Sequence, residues 1–156
     1  MSEIANSIPV VPQPRFLLHV VEPQAYAGLL LLDKHLAQSA LTNTHWDLIK
    51  VRTSQVNGCA YCIQSHSAEA LTHGETEKRL RALPAWRESP YFTAEERAIL
   101  AFTEEVTLLV PHHLTDATYD EAVRLLGVPY VAQVLLAITN MNAWNRLGIA
   151  ARLIPT

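Results

Sequence analysis

Both cysteines of this chain lie in one ten-residue stretch, Asn57 to His66, which reads NGCAYCIQSH. Cys59 and Cys62 are three positions apart, and His66 follows four residues after Cys62. Such a set can do three kinds of chemistry. A dithiol can cycle with a disulfide, sulfur and imidazole can ligate a metal, and a thiolate beside a base can attack an electrophile. If Cys59 opens a helix running to His73, Cys59 and Cys62 share one face with Cα atoms about 5 Å apart, within disulfide range. The first turn of a helix also offers unpaired N–H groups and the positive end of the dipole, and both favour thiolate. That matters because an ordinary cysteine is only about 3% thiolate at pH 7. His66, one turn beyond Cys62, could take the thiol proton or give one to a leaving oxygen.

The segment before the motif supplies a carboxylate. If a helix runs from about 44 to 57 and the chain reverses at Asn57-Gly58, Asp47 and His66 lie level to within roughly 3 Å on antiparallel neighbours. An order Asp47 to His66 to Cys62 is then reasonable, with Asp47 orienting the imidazole. Asp47 has a structural alternative, since Thr44-x-x-Asp47 also reads as a capping-box variant. His73, beside Gly74, reads as a C-terminal helix charge. His112 and His113 follow Pro111 in an expected loop, and His19, His35 and His45 have no evident partners in the sequence.

Two rival readings of the cysteines are weaker. A structural zinc site needs a fourth ligand and usually a second knuckle, and the chain has no second CxxC and no HxxxH. A thioredoxin-type domain needs strands beside the motif, and the flanks here are helical in pattern. Inert core thiols remain as the plain alternative.

The elements that must position these residues are helices. PQAYAGLLLLDKHLAQSA has Pro23 near its start. TNTHWDLIKVRTSQVNG opens on cap residues and closes on Gly58. CAYCIQSHSAEALTHG closes on Gly74. TAEERAILAFTEEVTLL carries the capping box Thr93 to Glu96 and stops before Pro111. TDATYDEAVRLLG and a long Ala/Leu-rich segment started by Pro129 complete the set. Only FLLHVV hints at a strand. The expectation is an all-α fold of six or seven helices over residues 16–156, after an extended proline-rich arm over 1–15.

Composition narrows the partners. Only 17% of the 156 residues are charged, against roughly 25% on average, while 49% are apolar. So few charges cover a monomer poorly, which favours a homo-oligomer. The net charge is −3 with no basic block, which argues against nucleic acid. AGLLLL and VPYVAQVLLAI are too short or interrupted to span a bilayer, and the N-terminal stretch does not read as a signal peptide. A cytoplasmic protein is expected, where a close cysteine pair more often works in redox or metal chemistry than as a lasting disulfide.

DLIKVRTSQVNGCAYCIQSH resembles the signature of the AhpD-like alkylhydroperoxidases, within the carboxymuconolactone decarboxylase superfamily. That pattern is an acid, eleven residues, then C-x-x-C-x-x-x-H. Asp47, Cys59, Cys62 and His66 fall on it, and NAWNRLGIAAR, Asn142 to Arg152, also looks like this family. The resemblance implies an all-α fold assembled as trimers or hexamers, and thiol peroxidase chemistry without a cofactor. In that scheme Cys62 attacks the hydroperoxide and becomes a sulfenic acid. Cys59 resolves it as a disulfide and is the sulfur that a dithiol reductant or partner protein attacks, while His66 and Asp47 relay protons. The chain departs from the pattern twice: the usual glutamate is Asp47, and Tyr61 stands where the best-known peroxidases have histidine. The decarboxylase branch generally lacks the cysteine pair, so Cys59 and Cys62 argue against lactone decarboxylation. The alternatives are a dithiol–disulfide oxidoreductase for a partner protein and a non-redox helical protein, either a decarboxylase-like enzyme or an oligomeric binding module.

Overall fold

The computed structural model describes residues 12–155, the side chain of His112 excepted. Among these residues there are nine α-helices and no strand: α1 Leu18–Val21, α2 Pro23–Ala37, α3 Asn43–Asn57, α4 Ala60–Thr72, α5 Glu77–Ala82, α6 Ala94–Thr107, α7 Leu109–His112, α8 Asp116–Leu126 and α9 Val128–Ala151. A 3₁₀ turn, Leu83–Ala85, follows α5. With the four-residue α1 and α7 set aside, seven helices remain, in line with the six or seven expected. The all-α reading holds, with one correction: α1 lies inside FLLHVV, where the sequence hinted at a strand. So short a mostly apolar run does not distinguish a strand from one helical turn. Most of the expected arm lies outside the described residues. Its described end is tied to the end of α9, where Arg15 donates to the carbonyls of Ala151 (2.9 Å) and Ala150 (2.8 Å).

The helix boundaries follow from local chemistry. Thr42 caps α3 by accepting from the His45 N–H at 3.2 Å, and Gly58 ends α3 at φ +71°. Thr93 and Glu96 form the reciprocal capping box of α6, and Thr115 caps α8. Pro129 sits in the first turn of α9, where its missing N–H costs no hydrogen bond.

α3 is the central element and packs against α4, α6 and α9. Its apolar side chains divide between two clusters. Ile49 joins Leu36, Phe102 and Ile138, while Leu48 and Val51 join Leu83, Trp86 and Leu100. Burying each such side chain contributes on the order of 1.5–3 kcal/mol before entropy is charged against it. The remaining stripe of α3 holds Asp47, Lys50, Ser54 and Asn57, spaced by three and four, and it faces α4 and α9 instead of solvent. A smaller cluster of Cys59, Cys62, Met141 and Trp144 closes that end of the bundle.

The reversal between α3 and α4 depends on Gly58. A Cβ built there meets nothing within 4 Å, so the only cost of a side chain is its left-handed backbone. Gly58→Ala is expected to lose about 1 kcal/mol of stability in urea denaturation, and Gly58→Asn distinctly less. Equal stability of all three proteins would contradict this.

Candidate active site

Cys59 is the N-cap of α4 and not its first helical residue, one position earlier than assumed from sequence. Its Sγ accepts from the Cys62 N–H at 3.4 Å. Cys62 thus sits in the first turn, among the N–H groups and at the positive dipole end. The two sulfurs are joined as a disulfide, with Cα atoms 5.3 Å apart. α9 presses close behind them because residue 148 has no side chain. A Cβ at Gly148 would stand 3.3 Å from Cys59 Sγ and 3.5 Å from Cys62 Sγ. α9 is held at this distance by amides: Asn57 Nδ2 donates to Asn142 Oδ1 (3.0 Å) and Asn145 Oδ1 (2.9 Å), and Asn145 Nδ2 donates to Ser54 Oγ (3.0 Å).

The two sulfurs face different surroundings. Cys62 borders a cavity of about 820 Å³, together with His66, Tyr61, Trp46 and Met141, and Cys59 is not on its wall. Leu17, Leu30, Leu147 and Leu153 make much of the rest of the wall apolar.

Beyond His66 the stripe of α4 continues through Glu69 and His73, spaced three and four apart. His66 Nδ1 and Glu69 Oε2 are 3.0 Å apart, Glu69 Oε2 and Lys50 Nζ 2.7 Å, Lys50 Nζ and Asp47 Oδ1 3.0 Å, and Asp47 Oδ2 and His73 Nδ1 2.7 Å. Asp47 is only 1% exposed and Lys50 only 4%. The direct Asp47–His66 contact expected from counting along the helices is therefore not formed. The long Lys50 side chain enters from the next turn of α3 and bridges the two carboxylates, so Asp47 reaches His66 only through Lys50 and Glu69. Counting rise per residue fixes the level of two side chains to about a turn and says nothing about a third that reaches between them. His45, one of the histidines without an evident partner in the sequence, bonds through Nδ1 to the Tyr130 hydroxyl at 2.6 Å.

Asp47, Glu69 and His73 bring ligand atoms within 4.8 Å of one another, a spacing that suits a metal ion. The Lys50 ammonium already supplies the cation between the two carboxylates. The hydrogen bond with His66 is the main cause that holds the Glu69 carboxyl down at about 2, with Lys50 adding to it against the opposing effect of burial. Glu69 is thus an anion throughout the neutral range.

Sequence reasoning missed Glu69 and Lys50 as members of this group and read His73 as a helix-end charge. Glu69 and His73 extend the spacing of Cys59, Cys62 and His66, and Lys50 is i+3 from Asp47, so a stripe drawn on each helix would have found all three. Asp33 of α2, also on the cavity wall, had no such signal.

Fold and site define an all-helical protein with a sulfur pair at a helix start, opening on an apolar cavity. The chain belongs to the carboxymuconolactone decarboxylase family, whose pattern matches residues 23–105, from α2 to α6. It is 34% identical over 136 residues to the uncharacterized protein YdfG of Bacillus subtilis, covering 87% of this chain and 92% of that one. In structure it is similar to ATU0492 from Agrobacterium tumefaciens, a protein of unknown function provisionally assigned to antioxidant defence as an AhpD. The TM-score is 0.90 at 28% identity, over 92% of this chain and 99% of that one. A variant of the debrominase Bmp8 in complex with 2,3,4-tribromopyrrole shares the fold, with a TM-score of 0.77 at 21% identity over 85% of this chain and 71% of that one.

Glu69 has a folded pKa below its usual 4.5, so its contribution to stability is complete above that pH and is lost as the pH falls towards about 2. The stability difference between wild type and Glu69→Gln, followed by denaturation across this range, is expected to shrink on acidification. The Glu69 side chain is 42% exposed, so solvent screening keeps that difference small. Lys50→Met leaves the buried Asp47 carboxylate without its ammonium and is expected to cost about 3 kcal/mol at pH 7. A cost no greater than that of Glu69→Gln would contradict the bridging role.

Proposed function

We propose that this protein is a cytoplasmic thiol peroxidase that reduces organic hydroperoxides with the Cys59–Cys62 pair, as the AhpD-like alkylhydroperoxidases do. The observation that carries the reading is that Cys62 borders the cavity and its disulfide partner Cys59 is not on the wall. A substrate entering the cavity therefore meets Cys62 first. The provisional antioxidant assignment of ATU0492 supports the same reading.

In the reduced protein the Cys62 thiolate attacks the terminal oxygen of ROOH. The O–O bond breaks, Cys62 becomes a sulfenic acid, and RO⁻ leaves. His66, one turn along α4 and on the cavity wall, supplies the proton that turns RO⁻ into ROH. The Cys59 thiol then attacks the sulfenic sulfur, forming the disulfide and releasing water. A dithiol reductant exchanges with this disulfide, restoring both thiols and leaving oxidised itself. Glu69 holds His66 in place and balances its charge, and Asp47 acts as a positioning residue through Lys50 and Glu69. Tyr61 lies on the cavity wall, so the residue between the cysteines acts on substrate fit.

The apolar surface carries a second part of the proposal. Val20, Val21 and Leu31 of α1 and α2 are strongly exposed, and we assign them to contacts with further copies of the chain in a trimer or hexamer.

With cumene hydroperoxide and a dithiol reductant, Cys62→Ser is expected to show no turnover, and Cys59→Ser to consume at most one equivalent. Wild-type rates in both variants would sink the redox reading. Reduction of disulfides without peroxide consumption would make the protein a dithiol–disulfide oxidoreductase instead. In sedimentation, wild type is expected to run as an oligomer and Leu31→Glu as a smaller species; a wild-type monomer at micromolar concentration would overturn the assembly.

A further inference from the structure

The cavity beside Cys62 holds charged groups that the peroxide chemistry does not use: Asp33 and the exposed Lys34, both of α2. Asp33 of α2 lies on its wall and is half-buried. Its carboxylate is held by two N–H donors one turn apart on α9: Asn140 Nδ2 reaches Oδ1 at 2.5 Å, and Trp144 Nε1 reaches Oδ2 at 2.8 Å. Trp144 is itself braced edge-to-face by Tyr26, with ring centroids 5.3 Å apart. Serving Asp33 leaves the other end of the Asn140 amide in need: its Oδ1 is buried and has no hydrogen-bond partner. An acceptor left bare inside an apolar wall is costly, so the arrangement places the carboxylate firmly at the expense of local stability.

Each Asp33 oxygen has received one hydrogen bond and can accept another. Burial pushes the Asp33 carboxyl above its ordinary value, against the opposing effects of Asn140, Trp144, His66 and Lys50. The group is therefore short of donors. His66 and Lys50 act on it through charge alone, from the α3 and α4 side of the same cavity. The remaining wall is mostly hydrocarbon, and the volume suits a drug-sized organic molecule far better than hydrogen peroxide.

We propose that Asp33 is the polar anchor of the substrate site, accepting a hydrogen bond from a hydroxyl or amine on an otherwise apolar organic molecule whose reacting group lies at Cys62. Asn140 and Trp144 are positioning residues that aim the carboxylate. The inference rests on the peroxidase reading for what happens at Cys62, but it concerns binding and is measured apart from turnover.

Four probes with one hydrocarbon body test it by calorimetry on the intact protein: 4-ethyltoluene, 4-ethylbenzyl alcohol, 4-ethylbenzylamine and 4-ethylbenzoate. A hydroxyl on a ligand weakens transfer into an apolar cavity unless an acceptor meets it, so a preference for the alcohol is not the default. The alcohol and the amine are expected to bind at least tenfold more tightly than the hydrocarbon, and the benzoate most weakly. Asp33→Leu should cut both preferences below threefold, and Asp33→Asn, close in shape to the original, should do so for the amine. Circular dichroism confirms that each variant is folded; if Asp33→Leu is not, the amine result with Asp33→Asn decides. Equal binding of alcohol, amine and hydrocarbon to wild type overturns the proposal, as does an amine preference that survives in Asp33→Asn. Loss of cumene hydroperoxide turnover in wild type, with the donor preference intact, would sink the peroxidase reading and leave this one standing.

Discussion

A lysine ammonium out of contact with water must be met by anions, and Lys50 imposes that condition on the whole α3–α4 pair. Asp47 comes from the preceding turn of α3, and Glu69 comes from α4. Sliding α4 by one turn along α3 would leave the ammonium short of a carboxylate, at a cost of several kcal/mol. The register of α4 is thereby set by charge, where packing of apolar stripes alone would tolerate a shift. Everything at the helix start follows from that register. His66 is carried to the cavity wall, and the Cys59–Cys62 pair meets α9 at the point where Gly148 makes room.

α9 answers with a second polar arrangement. Asn142 and Asn145 accept from Asn57, and Asn145 bonds through Ser54 to the backbone of α3, while Asn140 and Trp144 reach the opposite way to Asp33. One helix thus joins the sulfur pair to the far wall of the cavity. These contacts are short-range and directional, and they lie among hydrocarbon, where a lost partner is expensive. The apolar clusters around Phe102 and Leu48 supply the bulk of the stability, and the polar contacts decide which packing is adopted.

Much of this was legible along the chain because the signals are local. Thr93 and Glu96 announce a capping box within four residues, Gly58 a left-handed stop, and Pro129 a helix start. The single-turn α1 was not legible, since four residues are too few to carry a period. At the site, a spacing of three at a helix start put Cys59 and Cys62 within disulfide range, and the resemblance to the AhpD-like pattern implied that they pair. The separation of Asp47 from His66 was not legible, because it depends on Lys50 of α3 reaching across to Glu69 of α4.

The sequence by itself determined the all-helical class, the ends of most helices, and the placing of two sulfurs within disulfide range at the start of one of them. These depend on hydrogen bonds and backbone preferences spanning no more than about four residues. Only the tertiary structure decided that Cys62 and not Cys59 borders the cavity, that Glu69 and not Asp47 touches His66, and that Asp33 from α2 joins them. Those outcomes depend on how helices distant in sequence lie against one another, and the contacts that set this connect residues too far apart to leave a local pattern.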